Sequence, residues 1–187
     1  MLTKKDRNVI SELFNIAFSK SISRLSLLLD DRLDISVPMI LDANGTNIEN
    51  IFTESNLIFN EVKGVVDFIN GELVGHCAFL VEYNENFKKL IDEIDIDTIN
   101  KIFIDTVFST MNQVLGSNIK SVESKAITNI DDLFVTFKND KKLYNQQSII
   151  FSRWSTRKNN LSGYVILLVN INQFIKLPKF VELIGLS

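Results

Sequence analysis

Glu12 and Asn15 lie three residues apart in the stretch SELFNIAFSKSISRLS, residues 11–26. On a helix, side chains at that spacing are neighbours with Cβ atoms about 5–6 Å apart, so a carboxylate and a carboxamide could engage one partner together. A carboxamide has no useful pKa and cannot act as a general base, but its hydrogen bonds can hold a water molecule in line for attack. At 100° per residue Asn8 and Ser19 join the pair in one narrow stripe, while Val9, Ile10, Leu13, Ile16 and Ala17 gather on another side. The solvated side of an amphipathic helix has the same appearance, and helical spacing alone does not separate the two readings.

The elements that would position this pair can be read from local signals. Thr3 suits an N-cap, with Asp6 three residues on, and the apolar period predicts a helix over 3–30. DISVPMILD, 34–42, alternates like a strand in which Pro38 implies an edge position or a break in the ladder, and the polar stretch 43–56 is expected to be a loop. Strands over 57–69 and 72–83 are expected to meet in a tight hairpin at Asn70-Gly71, with two positive φ values, before a short helix over 84–94. The order then restarts: a long helix over 97–124, a strand over 127–138, a polar loop, a strand over 147–155, the apolar run 162–171 and a closing helix from 172. VGHCAFLVEYNENFKKL and LSGYVILLVNINQFIKL look like diverged copies at the same point of each half. The expectation is one α+β domain, pseudo-twofold, in which duplicated helix-plus-three-strand units (about 1–95 and 96–187) share an antiparallel sheet flanked by two long helices.

Composition narrows the function classes. A chain of 187 residues has room for a sizeable core, and a formal charge of −3 gives no nucleic-acid footprint. Cys77 is the single cysteine and His76 the single histidine, which excludes an internal disulfide and a Cys/His zinc site. The opening MLTKKDRNVISELF breaks its apolar run with polar residues, and no run approaches 18 apolar residues. A cytoplasmic protein without membrane insertion is therefore expected.

The spacing Glu12, two residues, Asn15, then 22 residues to Pro38 resembles the signature of the CheC/CheX/FliY phosphatases of bacterial chemotaxis. SELFNIAFSKSISRLSLLLDDRLDISVP parallels that family's helix, its small-residue middle, its serine-ended turn and its strand ending in Val-Pro. VDFINGELVGHCAFLVEYNENFKKLIDEI resembles its hairpin and short helix, so the resemblance covers nearly the whole chain. It implies a domain that docks a phosphorylated CheY-like receiver and accelerates hydrolysis of the receiver's aspartyl phosphate. Asn15 would orient the water and Glu12 would contact a lysine of the receiver. Phosphoryl transfer gains most from positioning and charge stabilisation. Mg²⁺ would sit in the receiver's own site, so no cofactor of the chain's own is implied. The family pattern usually opens with Asp or Ser four residues before the Glu; Asn8 stands there, able to hydrogen-bond locally but not to carry charge.

An offset of 97 places Asp105 against Asn8, Ser109 against Glu12, Asn112 against Asn15 and Gly116 against Ser19. Ser109 cannot make the charge-assisted hydrogen bond to lysine, a contact worth roughly 1.5–3 kcal/mol. Its loss would weaken docking about tenfold or more. Asp105 lies one turn earlier, about 6 Å along the axis, too far to replace it. Asp105, Ser109 and Asn112 therefore read as a degenerate second site.

Other candidates are weaker. His76 and Cys77 are adjacent within an apolar strand and point to opposite faces, so they cannot readily pair. Trp154, at a strand end beside Arg153, reads as packing, and no GxSxG or phosphate-cradling glycine loop occurs. The alternative to an enzyme is a non-catalytic binding module, like the middle domain of flagellar switch proteins, for a receiver, a motor component or a CheD-like deamidase.

Overall fold

GHCAFLVE and SGYVILLV are apolar almost throughout, a pattern that suits strands covered on both faces rather than one. The computed structural model, which describes residues 3–42, 48–55, 59, 61–91, 95–139 and 148–186, places them side by side at the centre of a sheet. In chain order the elements are α1 (Lys4–Leu28), β1 (Leu33–Ile35), β2 (Met39–Asp42), α2 (Ile48–Glu54), β3 (Val62–Asn70), β4 (Gly75–Glu82) and α3 (Glu85–Ile91). There follow α4 (Ile96–Leu115), β5 (Lys120–Ile127), α5 (Ile130–Asn139), β6 (Ser148–Thr156), β7 (Ser162–Val169), a 3-10 helix (Ile171–Lys176) and α6 (Pro178–Leu186).

The fold is α+β, with a seven-stranded, wholly antiparallel sheet in the order β1-β6-β7-β4-β3-β5, and β2 also pairs with β6. The path is pseudo-twofold about the β7/β4 boundary. Each edge is exchanged: β1 and β2, from the first half of the chain, complete the second hairpin, and β5, from the second half, completes the first. One sheet face buries Cys77, Phe79, Val165 and Leu167 under α1 and α4. The other buries Ala78, Leu80, Ile166 and Leu168 together with Ile51 and Phe52 of α2 and Leu133, Phe134 and Phe137 of α5.

Pro38 breaks its strand into β1 and β2, as a residue without an N–H must. Four expectations are corrected. The polar stretch 43–56 holds a helix, α2, because Ile51 and Phe52 give it a face to bury; residues 43–47 and 56 lie outside the described ones. The long helix does not run to 124 but stops at Leu115, where Gly116 adopts φ 63° in the left-handed region that favours glycine, and the chain turns into β5. Residues 130–139 are a helix rather than a strand: Leu133, Phe134 and Phe137 recur at helical spacing, and the Asn129 side chain accepts the Asp132 N–H at 2.9 Å as a cap. The hairpin at Asn70-Gly71 is not a two-residue turn. Gly71 alone has positive φ, 124°, and four residues, 71–74, separate β3 from β4. The polar loop expected between 138 and 147 falls mostly outside the described residues.

α1 is fixed at both ends. Thr3 and Asp6 form a capping box, the Asp6 carboxylate accepting the Thr3 N–H at 2.6 Å and the Thr3 hydroxyl accepting the Asp6 N–H at 3.1 Å. At the far end the buried Asp31 carboxylate accepts the backbone N–H groups of Arg157 (3.3 Å), Lys158 (3.0 Å) and Asn159 (2.9 Å) in the β6–β7 turn. Burial penalises the charge, but these donors outweigh it and hold the Asp31 carboxyl below its ordinary range. Because the folded value lies below the unfolded one, this contribution is complete above about pH 4 and disappears as the pH falls through the folded value. Asp31→Asn keeps one acceptor oxygen and places an amide against the remaining donors. Urea denaturation should show a loss of about 2 kcal/mol at neutral pH, with a shallower decline of stability below pH 4 than in the parent protein.

Candidate functional site

The apolar period of α1 buries Ile10, Leu13, Phe14, Ala17, Phe18, Ile22 and Leu25 against the sheet and α4. Small residues in the middle let the two long helices approach. The Ser21 hydroxyl shares its one proton between Ala17 O of its own helix (2.9 Å) and Phe103 O of α4 (3.1 Å), while the Phe18 and Phe103 rings meet at 5.8 Å. Arg24 adds a hydrogen bond to Thr106 Oγ1 at 3.1 Å.

The rotation of α1 is set on its other flank. Ser11 Oγ donates to the carbonyl of the buried Pro38 at 3.1 Å, and Arg7 makes a two-pronged contact with Asp42 of β2 at 2.9 and 2.7 Å. The Arg7–Asp42 pair is substantially exposed and worth about 1 kcal/mol or less, so its value lies in placement more than in energy. Ser11 immediately precedes Glu12, and turning Ser11 toward Pro38 turns the stripe of Asn8, Glu12, Asn15 and Ser19 to the adjoining, outer side. The spacing between Glu12 and Pro38 thus has a mechanical content in this chain: the proline carbonyl is the stop against which the helix is set.

Glu12 and Ser19 are exposed and Asn15 is half-buried. Among the described residues neither Glu12 nor Asn15 has a side-chain hydrogen bond or ion pair. Beside them runs a groove of about 510 Å³, lined along α1 by Lys5, Asn8, Val9, Glu12, Leu13 and Ile16, and closed by Val114 of α4 and Leu183 of α6. Ile16, expected on the buried side, is 40% exposed, because α6 reaches this flank of α1 without covering it. The site therefore offers a carboxylate acceptor, an amide with both donor and acceptor, and an adjoining apolar trough. The trough was not legible in the sequence: Val114 and Leu183 come from distant elements, and the one local hint was Ile16 standing four residues after Glu12.

The second stripe is divided among different tasks. Asn112 is wholly engaged: its Oδ1 accepts from the Ile119 N–H at 2.7 Å and from Ser117 Oγ at 2.9 Å, and its Nδ2 donates to Ile119 O at 2.8 Å. It pins the end of α4 to the entry of β5. Ser109 is exposed and donates to Thr106 O at 3.1 Å, while Asp105 is exposed on the wall of a separate cavity. His76 and Cys77 do face opposite ways, His76 between the rings of Phe68 and Phe137 and Cys77 in the core under α1 and α4. Trp154 is buried and stacks on Phe79 at 5.2 Å. Among the described residues no group of three or more His, Cys, Asp or Glu is placed to hold a metal ion, and no helix is long and apolar enough to cross a membrane.

No family model matches the sequence, and no curated protein matches it. Among solved structures, the chain is similar to FliY from Thermotoga maritima, at 15% identity and a TM-score of 0.64, over 97% of this chain and 98% of that one. It is similar to a FliM–SpeE complex structure from H. pylori at 9% identity and 0.63, over 99% and 97% of the two chains. A chemotaxis protein CheX from Desulfovibrio desulfuricans gives 11% and 0.52, over 84% of this chain and 99% of its own. The fold is that of the CheC/CheX/FliY chemotaxis proteins, shared with FliM middle domains. At these identities the likeness is one of architecture, and the chemistry has to be argued from the residues.

The two asparagines should part in a stability measurement. Asn112→Ala strands a buried Ile119 N–H and should lower the unfolding free energy by about 1–3 kcal/mol. Asn15→Ala removes no side-chain hydrogen bond among the described residues and should stay within about 0.5 kcal/mol of the parent. Chemical denaturation of the two variants side by side checks this.

Proposed function

We propose that the protein docks a phosphorylated CheY-like receiver through the outer face of α1 and accelerates hydrolysis of the receiver's aspartyl phosphate. The observation that carries this reading is the pairing of Glu12 and Asn15 on one helix face, without internal partners among the described residues, in a chain of this fold. A carboxylate and an amide left unused by the fold are available to a partner, whereas Asn112 is consumed by the fold.

In the docked complex Asn15 enters the receiver's phosphorylation site and orients a water molecule in line with the phosphorus. The water oxygen forms the new P–O bond, the bond to the aspartyl carboxylate breaks, and inorganic phosphate leaves. Glu12 accepts a hydrogen bond from a lysine ammonium of the receiver, a contact worth roughly 1.5–3 kcal/mol when well formed. Mg²⁺ bound in the receiver's own site would supply the positive charge that offsets the charge developing on the phosphoryl group. The groove beside Glu12, with Ile16, Val114 and Leu183, gives the receiver an apolar seat. Asp105, Ser109 and Asn112 take no part, so there is one site.

The runner-up reading is a binding module without catalysis, for a receiver, a flagellar switch component or a CheD-like deamidase. The likeness to FliM, in a structure whose TM-score matches that for FliY within 0.01, favours keeping it.

Phosphate release from a phosphorylated CheY-type receiver decides between the two. The parent protein should speed dephosphorylation. Asn15→Ala should reduce the acceleration by about two orders of magnitude. Glu12→Ala should act chiefly on affinity, by about tenfold or more. Unchanged decay in the presence of the parent protein, or full activity in Asn15→Ala, would refute the catalytic reading; binding without acceleration would establish the module.

A further inference from the structure

The groove beside Glu12 carries one charged group that the proposed docking does not use. Lys5 lines it together with Glu12, and the rest of the lining is uncharged. Seven residues bring a helix back to within about 20° of the same line, so Lys5 stands about 10.5 Å from Glu12 along one rim of the groove.

The fold gives this cation no work. Lys5 is exposed in the first turn of α1, where the unpaired N–H groups and the helix dipole disfavour positive charge. Its neighbours in the chain are committed, Asp6 to the capping box and Arg7 to Asp42. Lys5 itself forms no ion pair or side-chain hydrogen bond among the described residues. An anion brought by a partner would meet two attractions at once, the Lys5 ammonium and the positive end of α1.

The phosphoryl group cannot be that anion. Asn15 lies ten residues beyond Lys5, about 15 Å along the axis, and the four-carbon stem of a lysine spans less than half of this. With Asn15 at the phosphorus, Lys5 faces a different part of the receiver, where the anionic groups are the carboxylates of Asp and Glu.

We infer that Lys5 is a specificity-determining residue, which pairs with an Asp or Glu side chain on the receiver element whose apolar residue seats between Ile16, Val114 and Leu183. The inference rests on the docking proposed above and narrows its partner. An accepted receiver presents a carboxylate roughly 10 Å from the lysine that Glu12 meets, so the rim reads two charges in a fixed order. A receiver with that order reversed would bring like charges together at both positions and be rejected.

Carbodiimide cross-linking and binding isotherms, with the full chain and a CheY-type receiver kept phosphorylated by a small-molecule phosphodonor, test it. The reagent joins a lysine amine to a contacting carboxylate as an amide, taking up the water lost and leaving as a urea. Mass spectrometry should find Lys5 joined to an Asp or Glu of the receiver. Lys5→Gln should raise the Kd about threefold and flatten its salt dependence, Lys5→Glu should raise it about tenfold or more, and Lys5→Arg should stay within about twofold of the parent. Lys120→Gln makes the same charge change on β5, at the far edge of the sheet, and should leave the Kd unchanged. Urea denaturation should show every Lys5 variant no less stable than the parent, so that lost affinity is not lost folding. A parent protein that does not bind the receiver refutes the docking and this inference with it. Undiminished binding by Lys5→Glu, equal weakening by Lys120→Gln, or a complex in which Lys5 forms no cross-link to the receiver overturns this inference alone.

Discussion

Two neighbouring strands without a polar face impose this architecture. β4 and β7 are buried on both sides along their whole paired length, and a sheet with such a centre is stable only between two layers. The long helices supply one layer and the short helices α2 and α5 the other. How tightly the strands themselves pack shows at one glycine. A Cβ on Gly163 would lie 2.7 Å from the Trp154 indole and 2.0 Å from Leu80 O, so the stack of Trp154 on Phe79 depends on a missing side chain in the next strand.

The outer face of α1 follows from that constraint. Once the helix has committed Phe14, Ala17, Phe18 and Ile22 to the core, its remaining freedom is a small rotation about its own axis, and Ser11, Arg7 and Ser21 remove it. A rigid helix presenting Glu12 and Asn15 would meet a partner with little ordering left to do, which is the main advantage of placing such residues on a scaffold element instead of a loop. α4 is set as firmly but spends its matching asparagine on its own C-terminal turn.

Legibility in the sequence followed the range of the forces involved. α1, the break at Pro38 and the central strands are written in short-range signals: a capping box, a missing N–H, and continuous apolar runs. α2 and α5 are not, since each buries only two or three large apolar residues, and those count only when the sheet face they cover exists. β5 is a run of Lys, Ser and Glu that becomes a strand because β3 has an open edge, a case of tertiary context overriding propensity. The pair Glu12 and Asn15 could be read from spacing; the groove beside it could not, because three helices distant in sequence build it. Gly116 marks the end of α4 in plain view, yet Leu115, Ile119 and Val122 continue at helical spacing across it. The bonds that occupy Asn112 depend on that end.

The exchanged edges also govern the order in which a growing chain can be completed. The β3–β4 hairpin has both its strands early, but β1 and β2 find their hydrogen-bonding partner only in β6, more than a hundred residues later. On a ribosome the first half would emerge with an unpaired edge and a two-sided apolar strand, β4, still missing its neighbour β7. Such surfaces invite wrong pairings between chains. Lys120, Glu123 and Lys125 on β5, the strand left at the finished edge, keep charge where the completed sheet would otherwise continue into another molecule.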